Sequence, residues 1–154
     1  DSQLSKASAS LPDAKLRLLP VGLANAWLAQ AKGEAQLVPG KAELRAAGAE
    51  VKGDDAVIGA VPVFGCMDLQ TNRLDGTPCV PLFLSMVDAE RAVMEATNEM
   101  LMTPGGISPE EASMDIQVLS LDKAIERTVT GSDGLAFRFV APSTSLHKIE
   151  AMSK

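Results

Sequence analysis

From residue 60 onward the chain alternates short apolar runs with amphipathic stretches, and each change of period marks a predicted element. Residues 60–67, rich in Val with Phe64 and Cys66, read as a strand. Asp75 and Gly76 form a turn signal, and 79–84 reads as a second strand antiparallel to the first. Ser85 opens a helix, with Asp88 three residues on in a capping-box arrangement. That helix, 86–101, places Val87, Val93, Met94, Leu101 and its alanines on the apolar side, and 102–106 ends it. Ser108, Pro109, Glu110 and Glu111 give another helix start of a turn or two. Further on, 116–121 alternates as a strand and 122–128 continues as a short helix. A turn at 131–134, a strand at 135–140 and a final helix at 143–152 complete the chain.

The first third is less regular. Residues 1–14 are small and polar and read as a flexible tail. A short strand is predicted at 16–21, followed by a helical stretch with Leu23, Ala26 and Trp27 on one face. Residues 32–55, rich in Ala, Gly, Glu and Lys, form an insertion-like segment broken by Pro39 and Gly40. Within it, 41–52 reads either as a weak helix or as a solvated insertion. The element order is βα, ββα, βα, βα, and 15–154 is expected to form one domain of the α/β or α+β kind.

The length, 154 residues, is enough to bury a sizeable core, and 46% hydrophobic with 22% charged residues argues against wholesale disorder. The net charge of −6 and the 3% aromatic content lack the basic stripe and interleaved aromatics of a nucleic-acid binder. No apolar run approaches the roughly 20 residues needed to cross a bilayer. Asp1 rather than Met opens the chain, which reads as a mature or trimmed form.

The reactive side chains form no evident catalytic set. His147, the single histidine, falls near the end of the last helix and reads as a surface residue. Ser143 and Ser145 precede it without an oriented third member. Gly105 and Gly106 stand before a helix start but lack the lysine and spacing of a phosphate loop. The acidic pairs Asp54–Asp55 and Glu110–Glu111 read as loop solvation and helix-terminus charge. Cys66 and Cys79, the two cysteines, cannot build a four-ligand zinc site with one histidine. They read either as two small buried hydrophobes or as a disulfide across the hairpin, in an oxidising compartment. No catalytic, cofactor-binding or metal-binding residue is assigned. Met86, Met94, Met100, Met102 and Met114 either fill the core or line a surface that accepts varied apolar partners. Trp27 likewise reads as core or as an interface anchor.

Two stretches suggest an internal repeat. Residues 16–21 resemble 116–121, and 80–84 with the helix at Ser85 resembles 136–140 with the helix at Ser143. Phe83 then aligns with Phe139, Leu84 with Val140 and Val93 with Ile149. Four motifs also stand in register: VPVF (61–64), VPLFL (80–84) leading to VDAERAV (87–93), IQVLSLDKAI (116–125), and LAFRFVAP (135–142) with its closing helix. Over about 60–152 this series resembles the Tic-twenty-two-like family, associated with protein import at the inner envelope of plastids and present in cyanobacteria.

The resemblance implies an α/β fold of two similar βα-containing halves that share a mixed sheet and are related by a pseudo-twofold. It implies a non-enzymatic, chaperone-like protein of the plastid (chloroplast), without cofactor, soluble or peripheral to a membrane. Its partners are precursor polypeptides held during import, with clients on apolar faces around Val63 and Phe83. An alternative with the same fold is an extrinsic subunit or linker docked on a plastid membrane assembly such as a photosystem–antenna supercomplex. In that case the partners are subunits of the complex, and the segments 1–14, 32–55 and 68–78 supply contacts. An enzyme is the third and least favoured reading.

Overall fold

A glycine opens each of the first two described helices. The computed structural model describes residues 21–48, 61–105, 108, 112–131 and 136–152. The tail 1–14 and the predicted strand at 16–20 therefore lie outside the described residues, as do 49–55, Glu110–Glu111 and most of the turn at 131–134. Two compact units are distinguished, 1–37 and 38–154. In the first, helix α1 spans Leu23–Ala31 behind Gly22, and Leu23, Ala26 and Trp27 are half-buried on one side, as the spacing predicts. It ends where Gly33 takes a left-handed φ of 73° and donates to Gln30 O, a position that suits glycine. The Gln30 side chain then accepts from Leu37 N at 2.8 Å.

In the second unit helix α2 spans only Lys41–Ala46 behind Gly40 and buries Leu44. A sheet follows, with β1 at Pro62–Gly65, β2 at Thr71–Asn72, β3 at Pro78–Phe83, β4 at Gln117–Ser120 and β5 at Phe137–Val140. Helix α3 spans Met86–Met102, α4 Leu121–Thr130 and α5 Ser143–Met152. The sheet path runs β2-β3-β1-β4, and β5 pairs the remaining edge of β3. All pairings are antiparallel except β3 with β5, which is parallel. The sheet is therefore mixed, in an α/β layout.

β1 and β2 form an interrupted strand along β3. Phe64 faces Phe83 and Gly65 faces Leu82, whereas Thr71 faces Cys79, so the chain between them leaves and rejoins the ladder. Pro81 tolerates its central place for this reason. The alternation set by Val80 N–H, which bonds Ala136 O, turns residue 81 toward the gap between β1 and β2, where no ladder donor is required. Asp75 stabilises the β2–β3 turn by accepting from Thr77 N at 2.9 Å, and Gly76 supplies its positive φ of 83°.

Strand alternation sorts the core onto two faces. Phe64, Phe83 and Cys66 gather with Leu69 and Ala89 on one face, with Val93, Ala96, Met114, Ile116 and Val140 packed around them. Val63, Val80, Leu82 and Phe137 belong to the other face by register, and α4, which packs on β1 and β4, buries Leu121 and Ala124.

Helix α3 turns only part of its expected apolar side to the sheet: Val93 and the alanines face inward, whereas Val87, Met94 and Leu101 do not. Ala89 is buried and Met86, Ala92, Val93 and Ala96 pack on the core. Val87, Met94 and Leu101, expected inside with Val93, are 63%, 57% and 40% exposed. They stand at seven-residue spacing, about 140° round the helix from the alanine side at 100° per residue. The inward side thus combines the alanines with Met86 and Val93, and the stripe of Val87, Met94 and Leu101 is left outward.

Ser85 caps α3 by accepting from Asp88 N at 3.4 Å, and Ser120 caps α4 by accepting from Lys123 N at 3.3 Å. The expected capping box at Ser85 is only half formed. The Asp88 carboxylate turns instead to the start of α5, where Oδ2 accepts from Ser143 N at 2.9 Å and Oδ1 from Ser143 Oγ at 2.8 Å.

Candidate functional site

A depression of about 550 Å³ lies against β5, lined by Arg73, Leu74, Asp75, Phe137, Arg138 and Phe139. Two elements build it. β5 supplies alternating aromatic and basic side chains, because period-two alternation places Phe137 and Phe139 on one face and Arg138 on the other. The β2–β3 turn supplies the rest. Arg73 donates through Nη2 to Phe137 O at 2.8 Å, anchoring the turn to the strand, while Leu74 is fully exposed. Arg127 of α4 lies over the Phe137 ring, 5.6 Å from its centroid, a cation–π arrangement.

The charges of the site are fixed by hydrogen bonds. The Asp75 carboxyl is held below its ordinary value chiefly by the Thr77 backbone and side-chain hydrogen bonds, with Arg73 adding a smaller attraction. It is an ionised turn residue whose oxygen is already engaged. The surface therefore offers two guanidinium groups, apolar walls and a strand edge. It can bind an extended or acidic chain, and no general acid–base pair converges on it.

Elsewhere, the residues singled out in the sequence are scattered. His147 is exposed on α5, and Ser143 is the partner of Asp88. Among the described residues no group of three His, Cys, Asp or Glu side chains is placed to hold a metal ion. Gly105 has a positive φ of 81° beyond the end of α3. Of the methionines, Met86 and Met114 pack on the core, whereas Met94 and Met102 are exposed. Val63 is wholly buried and Phe83 is 8% exposed, so the faces expected to receive clients are core instead. An interior face of a two-sided sheet cannot also be a docking surface.

Cys66 follows β1 and Cys79 lies in β3; both are buried and carried as free thiols. Continuing the β1–β3 register sets Cys66 opposite Pro81, two residues from Cys79, and the Cys79 Sγ lies 3.6 Å from Thr71 Oγ1. With exposures of 1% and 2%, both thiols are expected to resist alkylation in the native protein and to label together on unfolding without reductant. Mass mapping of the labelled peptides checks this, and failure of both to label in denaturant alone indicates a bridge.

The β5 depression was not legible beforehand. Its only sequence signal was the FRFV alternation, and the turn residues beside it are more than 60 positions away in the chain.

No model of a known protein family matches the chain, and no curated protein matches it in sequence. Two solved structures do match in fold. Tic22 from Plasmodium falciparum superposes with a TM-score of 0.67 at 19% identity, over 99% of this chain and 75% of its own. Anabaena Tic22, described as a protein-transport protein, superposes with a TM-score of 0.53 at 20% identity, over 97% of this chain and 75% of its own. Over nearly its whole length, then, the chain has the fold of the Tic22 structures.

Proposed function

We propose that this protein is a non-enzymatic binder of polypeptides that serves protein transport, holding unfolded or precursor chains at a plastid envelope. The observation that carries this reading is the near-complete match to two Tic22 folds, one of them described as acting in protein transport. The surface supports it. The β5 depression combines apolar walls with arginines, and the outward stripe of Val87, Met94 and Leu101 leaves further apolar area exposed. No described helix is long and apolar enough to cross a membrane, so attachment through these helices would be peripheral.

Two similar halves related by a pseudo-twofold belong to the same proposal. β3 and β5 are adjacent and parallel, and each leads into a helix. Phe83 and Phe139, which the repeat equates, fall on opposite sheet faces by register. An axis running between the two strands and along them requires that arrangement.

The test is whether the protein delays aggregation of a chemically unfolded polypeptide at near-equimolar ratio, without nucleotide. Delay with reversible co-sedimentation supports the reading. Aggregation at the rate of an inert control protein overturns it. Quantitative co-migration of the native protein with a detergent-solubilised membrane assembly would also overturn it and favour a docked subunit.

A further inference from the structure

We propose that the outer edge of β5 is a strand-docking site, at which an extended, carboxylate-bearing segment of another polypeptide adds to the sheet as a further strand. The proposal rests on the protein-binding reading above and specifies where that binding occurs and by which groups.

The hydrogen-bond pattern identifies the edge. Val80 N–H bonds Ala136 O and Leu84 N–H bonds Val140 O. Even-numbered positions of β5 therefore turn their peptide groups toward β3, and Phe137 and Phe139 turn theirs the opposite way. No described strand pairs on that side. The Phe137 carbonyl accepts the Arg73 guanidinium and keeps a second lone pair. Among the described residues, none bonds the Phe139 N–H or C=O there.

An unpaired edge is a template for strand addition, which folds normally blunt with proline, an inward charge or a bulge. Residues 137–140 carry none of these. Their single charge, Arg138, is exposed and falls on the sheet face opposite the two phenylalanines. The depression lies along this same edge. Main-chain bonds would supply affinity and the depression would take alternate side chains of the incoming strand.

Charge decides the occupant. Arg73 and Arg138 flank the edge, and Asp75, the one acid among the described lining residues, is already bonded to the Thr77 amide. An incoming strand with carboxylates among apolar residues complements this surface. A second copy pairing through its own β5 would bring the arginines of both chains together, and like charges facing across a strand pair are destabilising. Within Phe137–Val140 two described residues face outward, so binding is weak and quickly reversed, which suits a protein that must release its client.

Residue-resolved amide exchange on the full chain tests the proposal, alone and with excess carboxymethylated unfolded polypeptide, binding being followed in parallel by fluorescence anisotropy. The Phe139 amide is expected to slow by about tenfold or more on binding, while Arg138 and Val140, already bonded to β3, change little. Arg138→Glu, an exposed substitution, should weaken binding by about threefold to tenfold at low salt, with the difference shrinking as salt rises. Binding that leaves Phe139 exchange unchanged, or that shifts only the Val87, Met94 and Leu101 resonances, overturns strand docking and leaves the protein-binding reading standing. Absence of binding overturns both. A dimer of this chain paired through β5 overturns the assignment of the occupant.

Discussion

Phe64→Ala lowers the unfolding free energy by about 3–5 kcal/mol, the range for removing a buried phenyl ring. Phe64 is fully buried in β1, opposite Phe83 on one side and Val118 on the other. Its ring sits in the cluster that joins the sheet to Ala89 of α3. Ladders on both edges of β1 hold its strand neighbours in place, which limits how far Met86 and Met114, packed on the same cluster, can fill the space. Domains of this size have total stabilities of only about 5–15 kcal/mol. The variant should therefore show a fall in denaturant midpoint with little change in slope. Phe64→Leu, which keeps most of the volume, should retain the larger part of the stability. A midpoint for the alanine variant within error of the parent would show that β1 is not the centre of the core.

Asp88→Ala is expected to cost about 1–3 kcal/mol, because one carboxylate serves two helix starts. Asp88 lies in the first turn of α3, where negative charge is favourable, and it accepts both polar hydrogens of Ser143 at the start of α5. Removing it leaves the first turn of α5 without its side-chain partner and frees α5 from α3. The pH dependence has a definite sign. The Ser143 backbone hydrogen bond, against the opposing cost of desolvation, holds the Asp88 carboxyl below its ordinary value, with Ser143 Oγ and Arg91 adding to the effect. A lowered folded value means that the stabilisation is complete above the unfolded-state value of about 4 and is lost as pH falls through the folded one. The stability gap between parent and variant should be constant near neutrality and close in acid. Asp88→Asn should fall between them, since its amide oxygen accepts one bond without the charge. Urea titrations across pH 2.5–7 give the comparison, and a gap that widens in acid would contradict the assignment.

Much of the element plan was legible in the residues themselves. The β-rich runs around Val63 and Val80, the Asp75–Gly76 turn and the Ser85 cap are local signals, and local sterics and hydrogen bonding dictate them. The strand–helix order after residue 115 follows from the same changes of period. The cap at Ser120 is also local, its hydroxyl bonding an amide three residues on, but the strand alternation over 116–121 hid it and set the helix start one residue late.

Other features depended on partners distant in sequence. The sequence put Val87, Val93, Met94, Leu101 and the alanines on the inward side of α3, yet contact with the sheet kept only Val93 and the alanines there, because one helix face cannot span the whole arc these residues cover. Asp88 matched a local capping box, but its carboxylate found Ser143, 55 residues away. Val63 and Phe83 read as surfaces for clients until the sheet was seen to be packed on both faces. The parallel pairing of β3 with β5, and with it an edge at Phe139 that no described strand pairs, has no counterpart in period or composition. Strand neighbours are chosen by the whole chain's packing, whereas alternation along one strand records only which of its side chains share a face.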